Sequence, residues 1–475
     1  MQEASFSAVD ELRDLFAHAA RRAADHRAAA AETPVFPGPD AAARVRRALG
    51  ELADQPCAAR AVVEQLADAV EPGLVVSTGP RYFGFVIGGA LDAASAVDVL
   101  TTGWDQNAFN ATSSPAAAVV EEVAGAWLKE LLGLPASASS GFVTGGQAAN
   151  TVALAAARHH VLAQAGWDVE RSGLTGAPPV RIVATGERHV TIDRSLRLLG
   201  IGTEAIEPVA AGPQGEIDVT DLQRVLASGV PGPCIICLQA GNVNSGAFDD
   251  FSSAITAARA HGAWVHVDGA FGLWAAASPA TAALVAGVEG ADSWATDGHK
   301  WLNVPYDCGY VFCAHPDAHA ASMSFTAAYL TGHGEGGLRA PSDYVPESSR
   351  RARGFATWAA LRELGRRGVA DLVERCCVLA KRFAAQLSAL DGVAVVNDVV
   401  LNQVLVSFGD DDRTDRIVEA VQRSGECWMG ATTWHGQRLM RISVSNWRTA
   451  EADVDRSVRA IAAAAAAAAD QTYVR

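Results

Sequence analysis

Four short stretches of the 475-residue chain carry residue types that could do chemistry. Thr296-Asp297-Gly298-His299-Lys300-Trp301-Leu302 sets a lysine close behind a glycine and a histidine. Such a lysine is either a snorkelling surface residue or an amine kept for reaction. His266-Val267-Asp268-Gly269-Ala270 follows the apolar run Ala263-Trp264-Val265, so Asp268 stands at a strand's C-terminal end. There it either caps the next helix or faces a cationic ligand. Thr144-Gly145-Gly146-Gln147-Ala148-Ala149-Asn150 opens a long helical pattern. Its glycines let backbone N–H groups approach an anion at the helix N-terminus, although many such junctions are plain turns. His189, in Gly186-Glu187-Arg188-His189-Val190, follows the run Val180 to Ala184. It is either a satisfied surface or core group, or a face on which a planar ring could stack.

The four converge. An anion cradle, a ring-stacking histidine, a strand-end carboxylate and an amine, in that chain order, are what pyridoxal 5'-phosphate requires. The carboxylate would partner a protonated pyridine nitrogen, and apolar surroundings would favour the reactive neutral amine of Lys300.

These groups need a scaffold. Leu12, Leu15, Phe16 and Ala19 recur at helical spacing and predict an amphipathic opening helix. Pro34, Pro37 and Pro39 break the pattern, and a second helical stretch is expected from roughly Ala41 to Val70. Beyond residue 115, helical patterns (Ala116 to Leu132, Gln147 to Ala165) alternate with apolar runs at Val180–Ala184, Cys234–Leu238, Ala263–Val267 and Gly309–Cys313. That alternation predicts an α/β domain with a mainly parallel sheet, whose ligands gather beyond the strands' carboxyl ends. Residues 329–354 lack periodicity and read as a lid. A small α+β unit is expected at the end, with strands near Val393–Val396, Gln403–Phe408 and Leu439–Val444. The domain boundaries expected are 1–85 (helical), 86–372 (α/β) and 373–475 (α+β).

A formal net charge of -15 argues against nucleic acid or an anionic membrane as partner. The eight cysteines form no disulfide framework, and Cys234 and Cys237, three apart in an apolar run, would point to opposite sheet faces. Without a second pair at zinc-like spacing, no metal is expected, and packing thiols in a reducing cytoplasm are the reading. The acidic N-terminus lacks the pattern of a secretory signal, and no apolar run is long enough for a membrane span.

From about residue 70 onward, with HVDGA and DGHKWLNVPYDCG as its most specific parts, the chain resembles the group II pyridoxal-phosphate decarboxylases, which include aromatic-amino-acid and glutamate decarboxylases. The resemblance implies fold type I (aspartate-aminotransferase-like) and a homodimer embraced by its N-terminal helices, with active sites shared between subunits. It implies that Lys300 is the Schiff-base lysine, Asp268 the pyridine-nitrogen partner, and His189 and Ala270 the two faces of a ring sandwich. Gly145, Gly146 and Gln147 would hold phosphate with help from Asp297 and His299. Gln147 departs from the usual serine or threonine. Val243, in Asn242-Val243-Asn244, replaces a hydroxyl residue near the ring's 3-hydroxyl. Tyr344 resembles the lid tyrosine that returns a proton to the α-carbon. Phe85 and Val86 would line the substrate pocket, joined by Asn107 and Phe109 from the other subunit. The activity implied is decarboxylation of an L-amino acid, aromatic or apolar, to its amine. Arg441, in a late strand, leaves transamination as the alternative, and failure of the tyrosine step would give an aldehyde. A non-catalytic cofactor binder would show a broken constellation.

Overall fold

The computed structural model describes residues 8–228, 232–325 and 339–470. Its larger sheet contains β1 (Ser139–Val143), β2 (Arg181–Thr185), β3 (Ile206–Val209), β4 (Cys234–Gln239), β5 (Trp264–Asp268), β6 (Ser293–Asp297) and β7 (Gly309–Cys313). The strand order is β1-β7-β6-β5-β4-β2-β3. Strands β2 to β6 pair in parallel, and β7 runs antiparallel to both β1 and β6. Strands β4 to β7 are buried at every residue, which requires cover on both faces and explains the apolar runs of β4 and β7. Cys234 and Cys237 belong to separate apolar clusters, as their odd spacing on a strand requires.

Helix Gly146–Gln164 packs on this sheet through Ala149, Val152, Ala153 and Ala156, small residues that bring its axis close. Its N-terminus, His189 after β2, Asp268 at the end of β5 and Asp297 at the end of β6 all lie at the carboxyl edge of the parallel strands. Parallel pairing therefore collects segments more than a hundred residues apart at one crevice.

A smaller antiparallel sheet has the order β10-β11-β9-β8, from β8 (Ala394–Val395), β9 (Gln403–Ser407), β10 (Gly430–Trp434) and β11 (Gln437–Ser443). Helix Gly354–Leu387, broken by a kink at Gly365 (φ 59°), continues through the boundary expected at 372/373 and contacts both β9 and helix Pro115–Leu131. The stretch expected to be helical from 41 to 70 is two helices, Ala41–Leu49 and Ala59–Val70. Gly50, at φ 66°, ends the first, and Pro56 falls in the break. Strands β1, β3, β6 and β10 escape an apolar-run reading. Ser139-Ser140-Gly141 opens β1, and Thr296-Asp297 closes β6. Of the expected lid, residues 329–338 lie outside the described residues. The remainder packs down on β1, where Arg339 donates to the Ser140 carbonyl.

Candidate active site

Lys300 lies in a tight turn after β6. The turn is closed by Val304 N donating to Gly298 O (3.0 Å), and Gly298 N and His299 N both donate to Cys308 O. Gly88 presses against this turn from the N-terminal segment, where a Cβ would run into the Lys300 carbonyl oxygen. The amine's surroundings are not the low-polarity ones expected, because Lys300 Nζ is 2.9 Å from Oδ2 of buried Asp297. The other Asp297 oxygen accepts from Gly146 N at 2.5 Å and lies 3.3 Å from His299 Nε2. One carboxylate thus joins the lysine turn to the glycine cradle.

Lys300, Asp268, His189 and Ala270 line a single cavity of about 290 Å³. Asp268 is held by three donors: Asn150 Nδ2 (3.0 Å), Thr191 Oγ1 (3.4 Å) and Ala270 N (3.1 Å). His189 caps helix Val190–Leu198, with Nδ1 accepting from Thr191 N. Burial pushes its pKa below the usual histidine value against the pull of Asp268, which favours a neutral ring. The other walls include Phe85, Val86, Val243, Phe271 and Arg441. Phe85 and Val86 both take left-handed backbone (φ 54° and 57°), strain that a β-branched residue rarely carries outside a functional site. Arg441 reaches the cavity from β11 and donates to Val243 O at 3.3 Å. Among the described residues no carboxylate lies within ion-pair distance of it, and burial lowers its pKa.

Several sequence expectations land elsewhere. Gln147 turns away from the cradle, its amide donating to Ser195 Oγ (2.9 Å), Thr191 O and Thr151 Oγ1. It therefore anchors the next helix. Asp297 is an acceptor and would repel phosphate, so its part is to brace the Gly146 amide and Lys300. Asn107 and Phe109, expected to reach a cavity from the other subunit, do not line their own chain's cavity. Asn107 Oδ1 accepts from Arg350 N, and the Phe109 carbonyl from Ser342 N. Tyr344 is also absent from the walls. Its ring stands edge-on to His319 (centroids 5.1 Å apart) with the Arg339 guanidinium 4.1 Å above it. The sequence reading missed Asn150, whose signal was a single amide among the alanines of a helix's buried face. The buried thiols of Cys234 and Cys237 are pushed up to about 11 and about 12, which suits packing.

An amine, a carboxylate and a neutral imidazole around one slot fit the ring of pyridoxal phosphate, with glycine amides and His299 beside it. The family model described as the pyridoxal-dependent decarboxylase conserved domain matches residues 45–409. The chain belongs to the pyridoxal-dependent decarboxylase family. This decarboxylase is 26% identical over 452 residues to tyrosine decarboxylase 1 of Narcissus pseudonarcissus, covering 89% of this chain and 86% of that one. It is 25% identical over 423 residues to phenylacetaldehyde synthase of a Rosa hybrid cultivar, covering 82% and 81%. Its fold is similar to that of Oryza sativa TDC solved with PLP and tryptamine (TM-score 0.89, 22% identity, 98% and 99% covered). Mouse CSAD matches at TM-score 0.88 with 20% identity, over 97% and 99% of the two chains. The decarboxylase is thus a pyridoxal-phosphate-dependent lyase of fold type I. None of its described helices is long and apolar enough to cross a membrane.

Proposed function

We propose that this decarboxylase converts an L-amino acid with an aromatic or apolar side chain to its amine, with Lys300, Asp268 and His189 as its working groups. One observation carries the reading: those groups share a cavity with Phe85, Val86, Val243 and Phe271, apolar walls for a substrate side chain, alongside Arg441. Relatives named for tyrosine and for phenylacetaldehyde support an aromatic side chain.

Bound pyridoxal phosphate supplies an aldehyde for the substrate amine and a protonated ring that accepts the electron pair left by departing carbon dioxide. Lys300 would hold the cofactor through its side-chain amine. Asp268 keeps a proton at the ring nitrogen. His189 covers one face, neutral so that it adds no positive charge there, and Ala270 leaves room on the other. Gly145 and His299 would hold the phosphate, the Gly146 amide being taken up by Asp297. With Tyr344 bound to His319 and Arg339, Lys300 is the cavity's own candidate to return a proton to the α-carbon.

Arg441 favours a second reading. A buried guanidinium with no ion-pair carboxylate among the described residues suits a substrate carboxylate. Clamping the α-carboxylate in the ring plane would turn the same site to transamination. An aldehyde product is the third outcome, in keeping with the rose relative.

The decarboxylase works as a homodimer in this reading. Helix Ala8–Ala29 buries none of its residues and exposes Val9, Leu12 and Phe16, an apolar face that a second copy would cover. Asn107 and Phe109 would then meet the partner's cavity. All eight cysteines are unpaired, which suits a reducing cytoplasm.

The test incubates holoenzyme with a pool of amino acids and follows carbon dioxide, amines, aldehydes and keto acids together. An aromatic or apolar amine with matching carbon dioxide supports the proposal. A keto acid without carbon dioxide transfers the weight to Arg441 and transamination.

A further inference from the structure

Trp264, His266 and Asp268 alternate along β5 and so share one face of the sheet. Helix Gly146–Gln164 covers that face, and every buried residue of the helix except Asn150 is glycine, alanine, valine or leucine. An amide retained in such a face has a polar task, since an unpaired one would be destabilising.

Its contacts form a continuous chain. Asn150 Nδ2 donates to Asp268 Oδ2 (3.0 Å) and to Thr191 Oγ1 (3.0 Å), and Asn150 Oδ1 is 2.9 Å from His266 Nε2. His266 Nδ1 is 3.0 Å from Ser293 Oγ, which also accepts from Trp264 Nε1 at 3.0 Å. The direction of every bond follows from the ends. A carboxylate only accepts, so Asn150 turns its NH₂ to Asp268 and its oxygen to His266. His266 must then carry its proton on Nε2. The imidazole is fully buried, and burial lowers its pKa to about 4, so that proton is the only one it has at neutral pH. Nδ1 is left to accept from the Ser293 hydroxyl. Every donor in the chain points toward Asp268, and such aligned bonds strengthen one another.

We propose that Asn150 and His266 are positioning residues that orient and hold the Asp268 carboxylate through one directed hydrogen-bond chain, Trp264–Ser293–His266–Asn150–Asp268. The consequence is a carboxylate presented to the cavity at a set angle, with Oδ2 held from behind and Oδ1 braced by the Ala270 amide. Positioning residues of this kind stay invisible in the cavity itself, because they touch only the group that touches the ligand.

The inference rests on the reading of Asp268 as the ring-nitrogen partner, and two measurements separate the two ideas. First, the full chain is labelled with ¹⁵N-histidine, freed of cofactor, and examined by long-range ¹H–¹⁵N NMR at neutral pH. The His266 resonance is identified by its loss in His266→Gln. The expected result is a neutral ring with a slowly exchanging Nε2–H. An Nδ1–H tautomer or a charged ring in the unsubstituted protein overturns the chain, whatever the cavity binds. Second, the pyridoxal phosphate dissociation constant is measured by absorbance for His266→Gln and His266→Phe. Glutamine can still donate to Asn150 Oδ1, whereas phenylalanine cannot. Binding is expected to weaken about tenfold in His266→Phe and by no more than about twofold in His266→Gln, the scale of one hydrogen bond to a charged group. Equal weakening by both substitutions would make His266 a packing residue and overturn the proposal. Should the phenylalanine variant fail to fold, the tautomer in the unsubstituted chain still decides. Failure of the cavity reading alone would leave the Nε2–H tautomer intact and all dissociation constants unrelated to Asp268.

Discussion

Lys300 Nζ and Asp297 Oδ2 stand 2.9 Å apart, three residues from one another on the turn that leaves β6. The carboxylate that holds the amine also accepts from Gly146 N, so Lys300 and the glycine turn before the helix share a single buried anchor. Removing that anchor should act on both at once. Asp297→Ala leaves the Gly146 amide and the lysine without their acceptor, and is expected to lower stability by about 1–3 kcal/mol. Asp297→Asn, which keeps an acceptor oxygen, should lose less. Denaturant midpoints of the two variants check the order.

Lys300→Ala should abolish turnover while leaving the fold intact, since the side chain is partly exposed to the cavity. Borohydride reduction followed by peptide mass analysis should find the cofactor on Lys300 in the parent chain and nowhere in the variant. A variant that still produces amine would remove Lys300 from the reaction.

Asp268→Asn would keep shape and most hydrogen bonds but lose the charge proposed to hold a proton at the ring nitrogen. Turnover is expected to fall by about a hundredfold or more, the scale of a positioned proton-holding group. Cofactor content, read by absorbance, should show that the variant still loads.

Tyr344→Phe tests a residue whose ring packs against His319 and Arg339 instead of facing the cavity. Amine formation is expected to persist with normal cofactor loading. A switch of product from amine to aldehyde would return the α-carbon proton step to Tyr344.

The histidine beneath that tyrosine gives a pH prediction. His319 is fully buried between Ser139 Oγ (2.8 Å) and the Tyr344 carbonyl (3.0 Å), and burial pushes its pKa down to about 3. The unfolded chain takes up this proton below the ordinary value near 6.5, whereas the folded chain resists it until about pH 3. Stability from this group is therefore complete above about 6.5 and falls as pH drops through that window. Asp249, raised to about 7 by burial, acts in the opposite sense between its ordinary value and 7. The comparison must therefore be made between the parent and His319→Asn, in which the acid decline of the urea midpoint should be shallower.

Much of the site was legible before any coordinates. Asp268 and His189 each follow an apolar run that could be recognised as a strand, and parallel pairing carries strand ends to one crevice whatever the loops do. The cysteine pair could be assigned to opposite faces from spacing alone. Strands β1 and β6 were not legible, because their serines, threonine and aspartate become buried only through neighbours distant in the chain. The single helix expected over 41–70 failed for a local reason, a left-handed glycine followed by a proline-containing break.

By itself the sequence determined which chemical groups are present and that they fall at strand ends, because backbone periodicity and strand polarity are encoded over a few residues. Tertiary structure alone decided what those groups touch. It drew Gln147 to Ser195, set Asp297 against Lys300, brought Arg441 into the cavity from the second sheet and kept Tyr344 out of it. Those outcomes depend on helix and strand packing between segments tens to hundreds of residues apart. No local spacing records which donor will meet which acceptor across such a gap.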